Sequence, residues 1–386
     1  MKILFIVPIM GCGGAEILLG SIARNLVKKG HNVHIVCLGQ FHHTWDIYPD
    51  KEAFSKEVPI TIIGGSVRFG LLKLPVTDNE EYIKYVNAFK PDIIHSHLYQ
   101  AELLSRSYIK NGVTYFSHAH DNMPQLQRFG LQTVKSRALF ANYRERSWLI
   151  KQYRKCGNRF IAISLDVKAY LEKNLPASFR KKINYLPNAI DTKRFFTERD
   201  YLHSQEESFH IVSIANLVPK KNHILLVEVM KILKARGDNV TMEVLGFGPL
   251  MDMLVTKTKE YGLEELLFFR GSVGDVPQRL KNADLYVHPA SYEPFGLVLL
   301  EAMASGLPVV SLDGYGNREL MKEGENGFML PANATPEMFA EKILRLMKNV
   351  EEREQMGRNA REFSLNYDID NYTGKLLDIY SAAKPH

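Results

Sequence analysis

Short apolar runs rich in β-branched residues alternate along this chain with longer stretches whose apolar residues recur at helical spacing. The runs predict strands at Ile3–Val7, Val33–Leu38, Ile60–Ile63, Asp92–His95, Thr114–Ser117, Arg159–Ile163 and Ile183–Leu186. The scheme restarts at Phe209–Ala215 and continues through Thr241–Leu245, Leu267–Arg270, Leu285–His288, Pro308–Ser311 and Gly327–Leu330. Strands separated by helical patterns indicate an α/β protein with parallel sheets covered by helices on both faces. Between the two series, Pro187 to Glu207 is polar and charged, which sets a domain boundary there. The expected domains are 1–190 and 191–369. Helical patterns at Pro336–Lys348 and Glu351–Phe363 close the second, and a last helix within 370–386 reaches back to the first. Two doubly wound domains facing across a cleft would aim the carboxyl ends of both sheets at a shared ligand.

The segment from Ser291 to Pro308 carries the most specific pattern. Pro294 suits a first helical position, Phe295 to Ser305 is an apolar helical run, and Gly306 with Pro308 ends it. Glu293 then stands just before a helix and Glu301 inside it, about 12 Å apart along the axis. The backbone N–H groups of Phe295, Gly296 and Leu297 are unpaired helix-start donors, and Gly296 has no side chain to keep a phosphate away. One carboxylate can accept from ribose hydroxyls and the other from sugar hydroxyls, with phosphate between them. The same spacing also suits an ordinary amphipathic helix with one capping and one solvated glutamate.

Length and composition narrow the setting. A chain of 386 residues exceeds one ordinary core, and 45% hydrophobic with 24% charged residues is a globular composition. No apolar run approaches the ~18 residues of a bilayer span. Ile3 to Met10 is brief and leads into Gly11-Cys-Gly-Gly14 without a small-residue cleavage site, so it reads as a buried first strand, not a signal peptide. Cys12, Cys37 and Cys156 are odd in number and widely spaced, as free thiols in a reducing compartment would be. Together these features indicate a cytoplasmic protein. The net charge of +6 is concentrated: Arg128 to Arg159 holds nine basic residues and one acid, so it carries +8 and the rest −2. With Trp148, Leu149, Ile150 and Tyr153 alongside, this segment suits either peripheral contact with an anionic membrane or a solvated helix face. No nucleic-acid-binding motif accompanies the charge.

Gly11-Cys-Gly-Gly-Ala-Glu16 follows the first strand, yet Glu16 replaces the third glycine of a dinucleotide fingerprint. The second strand also ends in Leu38-Gly39-Gln40, without a ribose-binding acid. A nicotinamide or flavin cofactor is therefore not expected, although the turn still lets backbone approach a phosphate. Asn216 to Asn222 occupies the equivalent place in the second half. Lys220 and Lys221 at a helix start are unfavourable there unless an anion is bound, which nominates Lys221 for a diphosphate. His95 and His97 end one strand, and His118, His120 and Asp121 end the next, each His pair on one face. The set could bind zinc or manganese in a hydrolase, or His120 or His118 could contact a sugar while its neighbours pack. His42, His43 and Trp45 suggest an exposed loop. Asp368-Ile-Asp370 spells a metal-binding D-x-D but precedes a helix, where capping is its ordinary use.

Taken together, Gly13-Gly-Ala-Glu16, Pro91-Asp-Ile-Ile-His-Ser-His97, His118-Ala-His-Asp121, Pro187-Asn-Ala-Ile-Asp191, Lys221-Asn222, Leu245-Gly-Phe-Gly-Pro249, Glu293-Pro-Phe-Gly-Leu297 and Glu301-Ala-Met-Ala-Ser-Gly306 resemble a retaining glycosyltransferase of family four. The resemblance covers nearly the whole chain, and its glutamate-bearing segments are the specific part. It implies the GT-B architecture of two Rossmann-like domains, the first binding acceptor and the second a nucleotide-sugar donor. It further implies that Glu301 binds ribose and Glu293 faces the donor sugar. Phe295, Gly296 and Leu297 would offer backbone contacts, Lys221 would stabilise the diphosphate, and Gly14 would border the phosphates. His120, or else His118, would contact the transferred sugar, with His97 and His118 as acceptor candidates. One departure stands out: Asn216 occupies a position where the family usually has arginine, which removes half of an expected cationic clamp. His118-x-His120 is similar to transferases that build bacterial capsular, exopolysaccharide or lipopolysaccharide sugars.

The expected activity is metal-independent, retaining transfer of a hexose or N-acetylhexosamine, from a UDP-sugar by preference, to a glycan or lipid-linked acceptor. The nucleotide sugar is a co-substrate and no cofactor is required. Two other readings are a metal hydrolase built on His95/His97 and His118/His120, and a catalytically silent partner of a transferase.

Overall fold

Ile3, Leu4, Phe5, Ile6 and Val7 have no exposed surface, as a strand covered on both faces requires, and they form β1 (Lys2–Val7). The computed structural model describes residues 1–69, 75–128, 137–197 and 208–383. These fall into two compact units, Met1–Asn188 with Ile369–His386, and Ala189–Asp368.

The first unit continues with β2 (Asn32–Cys37), β3 (Ile60–Ile62), β4 (Ser66–Arg68), β5 (Val76–Asp78), β6 (Ile93–His97), β7 (Thr114–Ala119), β8 (Arg159–Ala162) and β9 (Ile183–Tyr185). Its seven-stranded sheet runs β3-β2-β1-β6-β7-β8-β9 with parallel pairing throughout. The β4–β5 hairpin, whose three-residue strands are too short to show periodicity, was not foreseen. β6 and β7 run past their expected ends, so His97 lies within the sheet, paired with His118. On one face, Leu4, Ile6, Val36, Ile94 and Tyr115 pack against Tyr82, Val86, Ala101 and Leu104.

Arg106 is fully buried in this unit, and its guanidinium is hydrogen-bonded by neutral acceptors. It donates to Asn158 Oδ1 at 3.0 and 2.7 Å, to Ser96 Oγ at 2.9 Å and to the Phe116 carbonyl at 2.8 Å. The buried Glu102 carboxylate accepts from Ser117 Oγ at 2.9 Å and from the Tyr153 hydroxyl. Helix Ile369–Ser381 packs on helix Gly14–Lys28, where Asn25 donates to Asp370 and Thr373 donates to Asn25. Asp368 instead accepts from Thr192 within the second unit. Both acids of the D-x-D are thus engaged in joining elements.

The second unit holds β10 (Phe209–Ile214), β11 (Val240–Leu245), β12 (Leu267–Gly271), β13 (Leu285–His288), β14 (Val309–Leu312) and β15 (Gly327–Leu330). The order is β12-β11-β10-β13-β14-β15, again all parallel. Helices Ile224–Ala235 and Pro336–Lys348 pack together over a core of Ile211, Val229, Leu233, Val287, Val310, Phe339 and Ile343. In each sheet the order reverses once, between β1 and β6 and between β10 and β13. Doubly wound sheets bind ligands at the carboxyl edge of such reversals. In the second unit the loops leaving those strands are Asn216–Asn222 and the segment carrying Glu293.

Candidate active site

At the β10/β13 reversal the Lys220 carbonyl accepts from the backbone N–H of Ser291 at 3.0 Å, tying the two loops together. Lys221 Nζ then donates to Glu293 Oε2 at 2.6 Å, with the two side chains only 15% and 9% exposed. His288, at the end of β13 and fully buried, places its Nε2 2.9 Å from the same oxygen. The Lys221 ammonium and the His288 ring outweigh burial and hold the Glu293 carboxyl well below the usual carboxylate range. Among the described residues Glu293 Oε1 takes no hydrogen bond, so one oxygen is anchored and the other can accept.

A third loop completes the frame. The Glu293 N–H donates to the Gly314 carbonyl at 2.8 Å, and the Gly316 N–H donates to the Glu293 carbonyl at 3.0 Å. A Cβ at Gly316 would lie 1.9 Å from the Pro294 carbonyl oxygen, so only glycine allows this approach. Between the two glycines, Tyr315 has φ +75° and ψ −72°, a strained backbone for a residue with a side chain.

The chain does not enter the next helix at Pro294. Gly296 is in a left-handed conformation, φ +105°, and serves as the N-cap of helix Leu297–Ala304. The expected 12 Å axial separation therefore does not apply, because only Leu297 to Glu301 is helical, about 6 Å of rise. The N–H groups of Phe295, Gly296 and Leu297 are nevertheless without hydrogen bonds among the described residues. Phe295 buries its ring. The helix ends as expected at Gly306, φ +76°, where Gly306 N–H bonds the Met303 carbonyl and Leu307 N–H that of Ala302. Glu301 is partly buried and has no side-chain hydrogen bond among the described residues. Burial pushes its carboxyl up to about 7, against the opposing charge of Arg194.

Lys220 and Lys221 do not begin the following helix. They lie in a 3₁₀ turn, Pro219–Lys221, and the helix starts at Ile224 after Asn222 adopts φ +52°. Asn216 is exposed on the same loop. The Leu245–Pro249 motif packs against this loop: a Cβ at Gly246 would meet the Ala215 carbonyl oxygen at 2.0 Å and one at Gly248 that of Leu217 at 2.5 Å.

In the first unit, Gly14 is exposed at the start of helix Gly14–Lys28, after β1. Four imidazoles gather beside that loop's strand. His118 stacks on His95 and on His120 with interplanar angles of 13° and 11°, and His97 Nδ1 is 2.9 Å from His120 Nε2. His95 Nδ1 meets the Tyr380 hydroxyl at 2.5 Å. His95, His97 and His118 are fully buried, whereas His120 is partly exposed. Burial keeps all four neutral, with His120 pushed down to about 3. Asn188 lies close enough to His118 to favour its charged form, but neither His118 nitrogen closes a hydrogen bond.

Ligand nitrogens of His95, His97 and His118 lie within 4.8 Å of one another. A tetrahedral zinc site needs neighbouring nitrogens about 3.4 Å apart and, for hydrolysis, an open position for water. All three rings are fully buried, which leaves no surface there for a water to reach.

Two family models match the chain, one described as Glycosyltransferase Family 4 over residues 12–194 and one as Glycosyl transferases group 1 over residues 195–363. The chain belongs to the glycosyltransferases. It is 26% identical over 317 residues to a UDP-Gal:α-D-GlcNAc-diphosphoundecaprenol α-1,3-galactosyltransferase of Escherichia coli, covering 77% of each chain. It is 27% identical over 203 residues to a poly(ribitol-phosphate) α-N-acetylglucosaminyltransferase of Staphylococcus aureus, covering 50% of this chain and 41% of that one. Among solved structures, Anabaena HepE in complex with UDP and glucose superposes with a TM-score of 0.78 at 21% identity, over 99% of this chain and 100% of that one. The architecture of this glycosyltransferase is therefore GT-B, and the hydrolase reading of its histidines is set aside.

Other expectations for the glycosyltransferase change in the structure. Leu149, Ile150 and Tyr153 are buried, whereas Trp148 is partly exposed. Arg128 and Arg146 donate to the Leu175, Asn174 and Leu126 carbonyls. Residues 129–136 of the basic segment lie outside the described residues. Among the described residues no helix is long and apolar enough to cross a membrane. His42 and His43 are exposed as expected, whereas Trp45 is buried and stacked on Phe41 at 4.8 Å. His288 and the Gly314–Gly316 loop were missed. Their signal was present in the His288 position at a strand end beside the reversal, and in a Gly-Tyr-Gly turn after β14.

Proposed function

We propose that this glycosyltransferase moves a hexose or N-acetylhexosamine from a nucleotide diphosphate sugar, a UDP-sugar by preference, to a glycan or lipid-linked acceptor in bacterial surface polysaccharide synthesis. The observation that carries the reading is the carboxylate set at the β10/β13 reversal: Glu293 anchored through one oxygen by Lys221 and His288, with unbonded N–H donors and Glu301 next in sequence. The activities of the relatives and the UDP bound in HepE support the choice of donor.

In this scheme Glu301 accepts from the ribose and Glu293 Oε1 from a sugar hydroxyl. Phe295, Gly296 and Leu297 donate N–H groups toward the phosphates, and Gly14 is assigned to phosphate contact. His120 is assigned to the transferred sugar. His97 and His118, both buried, are assigned to holding it in place in preference to direct acceptor contact.

Cleaving the sugar–phosphate bond leaves negative charge on the diphosphate and cationic character on the sugar. Lys221 and the N–H donors stabilise the departing charge more than the ground state, and ionised Glu293 offsets charge on the sugar side. The reaction is assigned as metal-independent and retaining, with the leaving phosphate taking the acceptor proton on the same face. Incubation with a panel of nucleotide sugars, with and without EDTA, tests this by nucleotide release. Release from one donor that persists in EDTA is expected, and abolition by EDTA would overturn the metal-independent scheme.

A further inference from the structure

The candidate site asks Lys221 to do two things. It pairs with Glu293, and the proposed reaction draws it to the diphosphate. When the ammonium moves, Glu293 keeps a buried negative charge, and a carboxylate that loses its partner in such surroundings is costly and free to rotate. A second anchor is therefore needed, and one is present on β13.

His288 Nε2 lies 2.9 Å from Glu293 Oε2, and its Nδ1 lies 3.2 Å from the Tyr286 hydroxyl. The same hydroxyl lies 3.2 Å from the carbonyl of Ile214, the last residue of β10, so its single hydrogen is shared between that oxygen and Nδ1. An ionised carboxylate only accepts, so Nε2 carries a hydrogen and donates. The ring is thus held between the sheet and the carboxylate, with no exposed surface. The charged and titratable groups facing it are Glu293, Lys221, Tyr286 and His223. We infer that His288 is the positioning residue that keeps Glu293 Oε2 fixed while Lys221 is released to the diphosphate, so that Oε1 stays aimed at the donor sugar. The inference rests on the proposed donor chemistry, but its structural half does not.

Two measurements separate those halves. In the free protein, long-range ¹H–¹⁵N spectra of ¹⁵N-histidine-labelled enzyme read the His288 tautomer, and Glu293→Gln identifies the ring that responds. A protonated Nε2 that shifts in Glu293→Gln is expected, and a ring with Nε2 bare would overturn the anchor whatever the enzyme's substrate. The second measurement compares wild type, His288→Leu and His288→Gln on the donor that gives nucleotide release in the panel, and on the corresponding free nucleoside diphosphate. Leucine removes the donor hydrogen, whereas the glutamine amide supplies one. His288→Leu should lose 10-fold or more in kcat while binding the free nucleoside diphosphate like wild type, and His288→Gln should regain most of that loss. Leucine and glutamine variants that are both folded and equal to wild type in kcat would contradict the inference. Failure of every donor in the panel would instead count against the proposed function, leaving the tautomer result to decide the anchor.

Discussion

Lys221 and Glu293 form an ion pair of 2.6 Å between loops that leave β10 and β13, the two strands where the second sheet reverses its order. The pair is mostly buried, so removing one partner strands the other. Lys221→Met should destabilise the enzyme by about 3 kcal/mol. It should also reduce turnover by about 100-fold or more through loss of leaving-group stabilisation. Pairing it with Glu293→Gln should restore most of the stability and none of the turnover, as urea denaturation and nucleotide-release assays on the three variants would register. Recovery of turnover in the double variant would contradict the assigned roles.

Glu301 gives a pH dependence of definite sign. Its carboxyl is raised to about 7 by burial, above its ordinary value of 4.5. The folded protein therefore holds a proton there that the unfolded chain releases, and this group's contribution to stability falls as pH rises from 4.5 through about 7. Ribose binding needs the ionised acceptor, so affinity for a nucleoside diphosphate should increase between pH 6 and 8. Calorimetric titrations across that range should show the increase in wild type and a weaker, flat profile in Glu301→Gln.

Glu301, Lys221 and the strand pattern illustrate what was legible in the sequence. All thirteen strands of the two large sheets were located from apolar runs, which are continuous where a strand is buried on both faces, as in β1 and β14. The short β4–β5 hairpin escaped, since three residues carry no period. The glutamates were legible because their types and spacing are unusual beside an apolar helix. What the pattern could not supply was the left-handed turn at Gly296, which shifts the helix start past Pro294. Nor could it supply the Lys221–Glu293 bond or the partnership of His288. Each depends on loops adjacent in space through the strand order and distant along the chain.

Gly316 tests whether the backbone frame around Glu293 is required. A methyl there would overlap the Pro294 carbonyl oxygen at 1.9 Å, while one at Gly374, in helix Ile369–Ser381, meets nothing within 4 Å. Gly316→Ala should lower both stability and turnover. Gly374→Ala should stabilise by about 0.5–1 kcal/mol with turnover unchanged. Thermal melts and initial rates on the pair provide the comparison.

Arg106 is placed to hold β6 and β7 in register from beneath the histidines, through Ser96, Ser117 and the Phe116 carbonyl. Replacing it with methionine leaves Glu102 buried without its countercharge and several acceptors unpaired. A loss of about 3–5 kcal/mol in stability is expected. Arg106→Met together with Glu102→Gln should lose less, and guanidinium denaturation of both variants would distinguish a paired network from independent contacts.

The division of labour between Glu301 and Glu293 is the centre of the account, and calorimetric affinities for a nucleoside diphosphate and for its sugar conjugate test it directly. Glu301→Gln should weaken both ligands alike, whereas Glu293→Gln should bind the free nucleotide as wild type does and lose only the increment contributed by the sugar. Two variants that bind both ligands as tightly as wild type, or a Glu293→Gln that weakens the bare nucleotide as much as the conjugate, would contradict it.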